Sequence, residues 1–541
     1  MLLTATTLAG GAVALAAPQG GGPTVSTTDG PVRGIVKNGV NEFLGIPYAA
    51  PPVGDLRWMP PAPTTHHALL DATQFANTCA QVTELGAFAG PSSTTEDCLY
   101  LNVFTTGTSP AKPVLVWIHG GGNLDGETND YDGSKLATGG PLGTPIVVVT
   151  INYRLGLFGF LSQSALNSEG HPWGNYGILD QQAALRWVRA NIANFGGDPS
   201  NVTLGGQSAG AIDTTANLIS PAAAGLFQRA ITESAPIPNF FIQPAAAALS
   251  QGNQFAAAAN CSTAACLRGL STARVLQLQG TPNASAPYAN GLPSVDPTII
   301  PIEPETAWTT GAYHHMPILG GTTKDEGAFG LSITEYFSGP PQVALTPAQY
   351  LANNSAAVLA EYPLSNYSGN PTLAQDRVGS DSFLKCPALR VLNQQAGTNT
   401  GFGVYGYDFT YQNAPYYFPQ MPNPYGPTGY FQALAYHTAD IQFVFPKWHG
   451  GNLGVNISQD AISPANNLPR ELQGAEITLS DQIVGAWTTF AKTGNPNGPG
   501  LPTWPVFTSG TGPFLAQNIA NSFESATDYS NNYHCAFWAT H

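Results

Sequence analysis

Apolar positions in this chain gather in short unbroken runs, and longer stretches between them repeat with a helical period. Val114–Ile118, Ile146–Ile151, Val202–Leu204 and Ile318–Gly320 are apolar and largely β-branched, without alternation against polar residues. That is the pattern of strands covered on both faces. Leu179–Asn194, Ala209–Leu218 and Leu479–Lys492 read as helices. Strands that alternate with helices predict an α/β fold: a large central, mostly parallel sheet flanked by helices. After Leu218 the chain turns rich in Ala, Pro, Asn and short helical stretches, and no clean linker divides it. These segments are expected to be insertions that build pocket walls on a single domain over residues 25–541.

Two of the predicted strands end in segments that carry chemistry. Gly206-Gln207-Ser208-Ala209-Gly210 follows Val202–Leu204, and His119-Gly120-Gly121-Gly122 follows Val114–Ile118. The first is a G-x-S-x-G elbow, in which small residues let a strand turn sharply into a helix and leave the serine hydroxyl exposed. The second is a glycine loop of the kind that turns backbone N–H groups toward an oxyanion. A G-x-S-x-G pentamer arises by chance in a chain with 60 glycines, and a glycine run is an ordinary turn. A strand before each motif changes that reading, because it brings both to one edge of the same sheet.

Composition narrows the partners. The chain has 541 residues, of which 18 are Lys or Arg and 33 Asp or Glu, for a net charge of -15 with 9% of residues charged. There is no basic stripe to follow a phosphate backbone, which argues against nucleic acid. Residues 1–17 are apolar and close on Ala14-Leu15-Ala16-Ala17-Pro18, as a signal peptide does. No later run has the length of a transmembrane anchor. Cys79, Cys98, Cys261, Cys266, Cys386 and Cys535 suit three bridges in an oxidising compartment, and no Cys/His spacing reads as a zinc site. The expected location is secreted or extracellular, the periplasm included. Sequons stand at Asn201, Asn260, Asn283, Asn353, Asn366 and Asn456; Asn201, just ahead of the elbow's strand, reads as a turn former.

A serine hydroxyl needs an imidazole to take its proton, and the imidazole needs a carboxylate to orient it. In chains with this elbow the order is serine, acid, histidine. Ile318-Leu319-Gly320-Gly321-Thr322-Thr323-Lys324-Asp325-Glu326-Gly327 puts two acids at a strand end, and spacing leaves both eligible. His314 and His315 precede that strand and an acid follows them closely, which sets them aside. Of the later histidines, His437, His449, His534 and His541, spacing does not separate His437 from His449.

The chain resembles the type-B carboxylesterase/lipase family of α/β-hydrolases, which includes cholinesterases and fungal lipases, across nearly all of Val32 to Trp538. Beyond the elbow, the resemblance rests on Phe43-Leu44-Gly45-Ile46-Pro47-Tyr48-Ala49, Glu96-Asp97-Cys98-Leu99-Tyr100-Leu101-Asn102-Val103, Asn152-Tyr153-Arg154-Leu155-Gly156 and Phe195-Gly196-Gly197-Asp198-Pro199. It implies Ser208 as nucleophile, Glu326 as acid and His437 as base, with Gly121, Gly122 and Ala209 as the oxyanion donors. It leaves Asp325 a structural or electrostatic neighbour and His449 a loop histidine. It also implies disulfides Cys79–Cys98, Cys261–Cys266 and Cys386–Cys535, and buried ion pairs Arg57–Glu96 and Arg154–Asp180. No metal or organic cofactor is implied.

Departures from the family bear on substrate. Gln207 stands before the nucleophile where Glu is common, which removes a negative charge beside Ser208. Phe88 is the sole aromatic between Cys79 and Cys98, so the family tryptophan that binds quaternary ammonium is missing. That loop is short and rich in Ala, Gly, Ser and Thr, unlike an apolar lipase lid. Asn123, where relatives carry an aromatic, is expected to make the site's rim more polar. Trp173, Phe240 and Phe241 are candidate gorge residues whose alternative is ordinary core. The aromatics Tyr411, Tyr416, Tyr417, Phe418, Tyr425 and Tyr430 form either a pocket lining or a rigid surface loop. The expectation is an ester hydrolase working through an acyl-enzyme on small, short- to medium-chain or aromatic esters. Competing readings are a lipase for longer acylglycerols and a catalytically silent recognition protein on the same fold.

Overall fold

In a computed structural model the protein is described over residues 22–82, 90–234, 241–280, 291–331, 345–415, 434–446 and 471–541. Residues 1–17, expected to be a signal peptide, and Phe88, Phe240, Asn283, Asn456, His449, Tyr416, Tyr417, Phe418, Tyr425 and Tyr430 lie outside the described residues. The principal sheet comprises Ile35–Lys37 (β1), Val40–Pro47 (β2), Tyr100–Thr105 (β3), Lys112–Ile118 (β4), Val147–Ile151 (β5), Gly197–Gln207 (β6), Arg229–Glu233 (β7), Ile318–Thr323 (β8), Val404–Phe409 (β9), Phe514–Gln517 (β10) and Ser522–Glu524 (β11). Their spatial order is β11-β10-β9-β8-β7-β6-β4-β5-β3-β2-β1. From β5 to β10 neighbouring strands run parallel, and the pairings outside that block are antiparallel.

The unbroken apolar runs are explained by cover on both faces. Along β4 the side chains alternate: Val114, Val116 and Ile118 enter one core, and Leu115 and Trp117 the other. The helices Tyr176–Asn191 (α1), Ala209–Ile219 (α2), Cys386–Thr398 (α4, preceded in the chain by α3, Pro371–Ser380) and Ala475–Thr493 (α5) supply that cover. Ile178, Leu185 and Val188 of α1, Ile212 and Leu218 of α2 and Leu392 of α4 pack on the first face. Leu479, Ile483, Trp487 and Phe490 of α5 close the second. Each fully buried side chain of this size stabilises the fold by about 1.5–3 kcal/mol.

Topology then places the site. After β4 the chain steps to β5 on one side, and after β5 it crosses back to β6 on the other. The carboxyl ends of β4 and β6 therefore diverge at a switch point, the crevice where open parallel sheets receive ligands. β4 and β6 are in register, with Trp117 opposite Gly205 and Ile118 opposite Gly206, so the glycine loop and the elbow leave the sheet side by side. The six cysteines form Cys79–Cys98, Cys261–Cys266 and Cys386–Cys535. Arg154 donates to both oxygens of Asp180 at 2.7 Å, and Arg57 Nε donates to Glu96 at 2.7 Å, both pairs buried. Asn201 differs from expectation: it lies inside β6, which begins at Gly197, and its side chain meets Arg229 instead of forming a turn.

Candidate active site

Ser208 sits between β6 and α2 with φ 56° and ψ -123°, a conformation a side chain adopts only under constraint. The constraints are visible. Its N–H donates to the Glu233 carbonyl at 2.8 Å, and its carbonyl accepts from Ala211 and Ile212 at 2.9 and 3.0 Å. The elbow glycines permit close passage: a Cβ on Gly210 would stand 2.1 Å from the Ile118 carbonyl oxygen, and one on Gly206 would stand 2.4 Å from Gly210. Bare backbone is thus what lets α2 start directly beneath β4.

Beside the elbow, Gly121 and Gly122 have φ of 105° and 63°, and Asn123 follows at 57°. The N–H groups of Gly121, Gly122 and Ala209 donate to no acceptor among the described residues. Gly120 packs on the elbow, its Cβ position 3.3 Å from the Ser208 Cβ. His119 is buried, stacks on Tyr153 and donates from Nδ1 to the Gly120 carbonyl at 2.8 Å. Burial pushes this imidazole down to about 4, so it stays neutral and serves the loop's shape.

The two adjacent acids at the end of β8 diverge. Glu326 accepts from His437 Nδ1 at 2.5 Å and from the Thr323 N–H at 2.8 Å. Asp325 points elsewhere: it accepts from Arg377 at 3.0 Å, Gln412 at 2.8 Å and the Ala435 N–H at 3.1 Å, and its own N–H donates to the Ala435 carbonyl at 3.0 Å. Asp325 therefore holds the backbone two residues before His437. Other histidines are committed to different partners: His314 to the Ser220 carbonyl, His315 to the Gly311 carbonyl and His534 to Glu361.

The second nitrogen of His437 reaches the elbow. Gln207 Nε2 lies 3.2 Å from His437 Nε2, while no hydrogen bond joins the Ser208 hydroxyl to the ring. Beneath this junction are two buried acids that sequence reasoning overlooked. Burial, with Asp440 and Glu326 nearby, holds Glu233 well above the usual carboxyl range. Asp440, bonded by the Tyr407 hydroxyl at 3.0 Å, is pushed up by burial and by Glu326 to about 7. Among the described residues, no three His, Cys, Asp or Glu side chains group as a metal site.

The rim differs from expectation at Asn123. Its positive φ turns the side chain under the loop, where it is fully buried and donates to Asp213 at 3.0 Å. Trp173 and Phe241 are partly buried against the core, Phe241 edge-on to Phe383. Tyr411 donates to Glu476 at 2.8 Å. The loop closed by Cys79–Cys98 is also pinned by paired backbone bonds between Gln81 and Ser93, both 2.9 Å.

Known proteins align with this arrangement over most of their length. Residues 21–538 match the model of the carboxylesterase family. A para-nitrobenzyl esterase of Bacillus subtilis is 38% identical over 503 residues, 89% of this chain and 92% of its own. A human cocaine esterase is 32% identical, covering 87% and 82%. The crystal structure of a Geobacillus stearothermophilus carboxylesterase superimposes with a TM-score of 0.74 at 30% identity, over 95% of this chain and 99% of that one.

Proposed function

The chain belongs to the carboxylesterase family and is an ester hydrolase, and from that premise we propose a secreted serine carboxylesterase whose nucleophile, base and acid are Ser208, His437 and Glu326. The observation that carries this reading is the hydrogen bond from His437 Nδ1 to Glu326, with Nε2 turned to the residue that adjoins Ser208. A carboxylate on Nδ1 fixes the tautomer whose Nε2 can accept a proton. With an ester in the crevice, Nε2 exchanges the Gln207 amide for the Ser208 hydroxyl; such bonds often tighten only in the substrate complex.

Ser208 then attacks the carbonyl carbon while His437 takes its proton, and the oxyanion forms against the N–H groups of Gly121, Gly122 and Ala209. The imidazolium returns the proton to the departing alcohol. Water, activated by the same base, repeats the attack on the acyl-enzyme and frees the acid. The substrate class we propose is small: short- to medium-chain or aromatic esters. The loop between Cys79 and Cys98 holds only 18 residues and is rich in Ala, Gly, Ser and Thr, a composition that supports small or dispersed esters over long acylglycerols. A relative named for a para-nitrobenzyl ester supports the aromatic part. All six cysteines are bonded, which supports an oxidising location.

The test is hydrolysis of p-nitrophenyl esters from acetate to palmitate, below and above micelle formation, by the wild type and Ser208→Ala. The reading expects fast turnover of the shorter esters, no jump at the micellar boundary, and loss of turnover in the variant. A jump at the interface would replace esterase by lipase, and equal activity in Ser208→Ala would remove the nucleophile.

A further inference from the structure

We propose that Asn123, Asp213 and Tyr153 are positioning residues that lock the glycine loop to the start of α2, so that all three oxyanion donors are held by one buried polar brace. This inference rests on the reading that Gly121, Gly122 and Ala209 serve the oxyanion.

A loop with positive φ at three successive residues has little stiffness of its own, and the Cβ side of Gly122 faces open space. Its geometry has to be imposed from behind. The Tyr153 hydroxyl lies 2.9 Å from the His119 carbonyl and 2.8 Å from Asn123 Oδ1, so its single proton is shared between acceptors at the two ends of the loop. The Asn123 carbonyl accepts from the Gly156 N–H at 2.6 Å, and its side-chain Nδ2 donates to Asp213 Oδ1 at 3.0 Å. The other oxygen of Asp213 accepts from Gln181 on α1 at 2.5 Å. Asn217, one turn further along α2, donates to Gln181 at 2.9 Å and to the Asp213 carbonyl at 3.0 Å.

The placement of Asp213 gives the network its meaning. It follows Ala209 by four residues, which puts the two on the same face of α2 one turn apart. Through Asp213, then, the loop that supplies two of the donors is tied to the helix whose first residue supplies the third. All five side chains of the brace are buried, and burying a carboxylate among amides costs stability that apolar packing would not. What the network provides in return is a fixed distance between donors on separate elements, and oxyanion stabilisation depends on such preorganisation.

A brace for transition-state donors has a kinetic signature that a merely structural network lacks: it alters kcat and leaves ground-state binding alone. Asn123→Ala, Asp213→Ala and the double variant should be measured at pH 8 for kcat, KM and affinity for a phenylboronic acid, which forms a tetrahedral adduct. Each single variant is expected to lose about tenfold to a hundredfold in kcat, short of the ~10²–10³ for removing a whole donor. KM should stay within about twofold, and boronate affinity should fall in step with kcat. The double variant should lose no more than the worse single one, since both break the same link.

The reciprocal pair, Asn123→Asp with Asp213→Asn, guards against misfolding. The carboxylate then at position 123 accepts from Tyr153 and from the amide at position 213, whose oxygen accepts from Gln181, and kcat should return to near wild type. Unchanged kcat in folded single variants, or loss through KM with boronate affinity intact, would overturn the proposal. Activity in Ser208→Ala would instead overturn the reading beneath it, so the two failures are distinguishable.

Discussion

Asp325 and Glu326 are neighbours in the chain with the same chemistry and different tasks, and the difference lies in what each carboxylate can reach. Glu326 bonds the imidazole, whereas Asp325 bonds Arg377, Gln412 and the Ala435 backbone. Glu326→Gln should therefore lower kcat by about 10²–10⁴ at unchanged stability, because an amide does not hold the reactive tautomer or support its charge. Asp325→Asn should act mainly on folding: partly buried Arg377 loses one charged partner but keeps Asp381 at 3.8 Å, so a loss of about 1–3 kcal/mol is expected. Steady-state kinetics with an active-site titrant and a denaturant midpoint separate the two; kinetic loss in the Asp325 variant at wild-type stability would exchange their roles. Ser208 and the glycine loop were legible because their chemistry is contiguous in sequence. The choice between the two acids was not legible from spacing, since it depends on Ala435, 110 residues away. Asn123 was misplaced at the rim for a similar reason: its partner Asp213 is 90 residues distant. A signal did exist, as Asp213 is the lone charged residue in α2, a helix buried at every position.

At the scale of elements, the strand that presents Glu326 is secured from below by a feature no periodicity announces. Between α3 and α4 the helix widens into a π-turn at Asp381–Lys385, which directs Lys385 under the end of β8. There its ammonium, fully buried, donates to Thr322 Oγ1 at 2.8 Å and Asp408 at 2.7 Å, above the rings of Tyr529 and Tyr533. Thr322 and Asp408 are register partners on β8 and β9, so one lysine ties both strands to the helix layer. Lys385→Met leaves the Asp408 carboxylate without its cation and should lower stability by about 3–5 kcal/mol. Urea unfolding would read this as a drop in midpoint, while kcat per titrated site in the folded enzyme stays close to wild type. A wild-type midpoint would mean that the Tyr533 hydroxyl alone suffices for Asp408. The apolar runs identified the interiors of β4, β5 and β8 because both sides of those strands are covered. They missed the polar start of β6, Gly197–Asn201, which is rich in turn formers, pairs with β4 only at Gly197 and shifts register before pairing resumes at Val202. The π-turn was illegible because it depends on a buried cation meeting a strand, and no local pattern encodes that.

For the molecule as a whole, scarce charge is also buried charge, and this dictates how stability responds to pH. Burial pushes Asp213 and Asp381 up to about 7, and it raises Asp376 and Asp440 as well. In the unfolded chain these carboxyls titrate near 4, so over the interval from there to about 7 the unfolded state sheds protons that the folded state keeps. Their contribution to stability is full below about 4 and is lost as pH rises through the folded values, at up to ~1.4 kcal/mol per pH unit for each group. His119 has the opposite sign. Its folded value is depressed to about 4, so its contribution is full above about 6.5 and is lost as pH falls. Between about 4 and 6.5 the two effects oppose each other; above 6.5 the histidine no longer contributes a slope and the acids remain. The denaturant midpoint should therefore fall between pH 6.5 and 8.5, and Asp213→Asn and Asp381→Asn should each flatten that fall by removing one titrating group. Midpoints that hold constant or rise over this interval would show that the buried carboxyls ionise as readily in the folded chain as in the unfolded one. The amides and hydroxyls around them, Asn123 and Gln181 at Asp213 and Tyr362 at Asp381, would then be compensating fully for their burial.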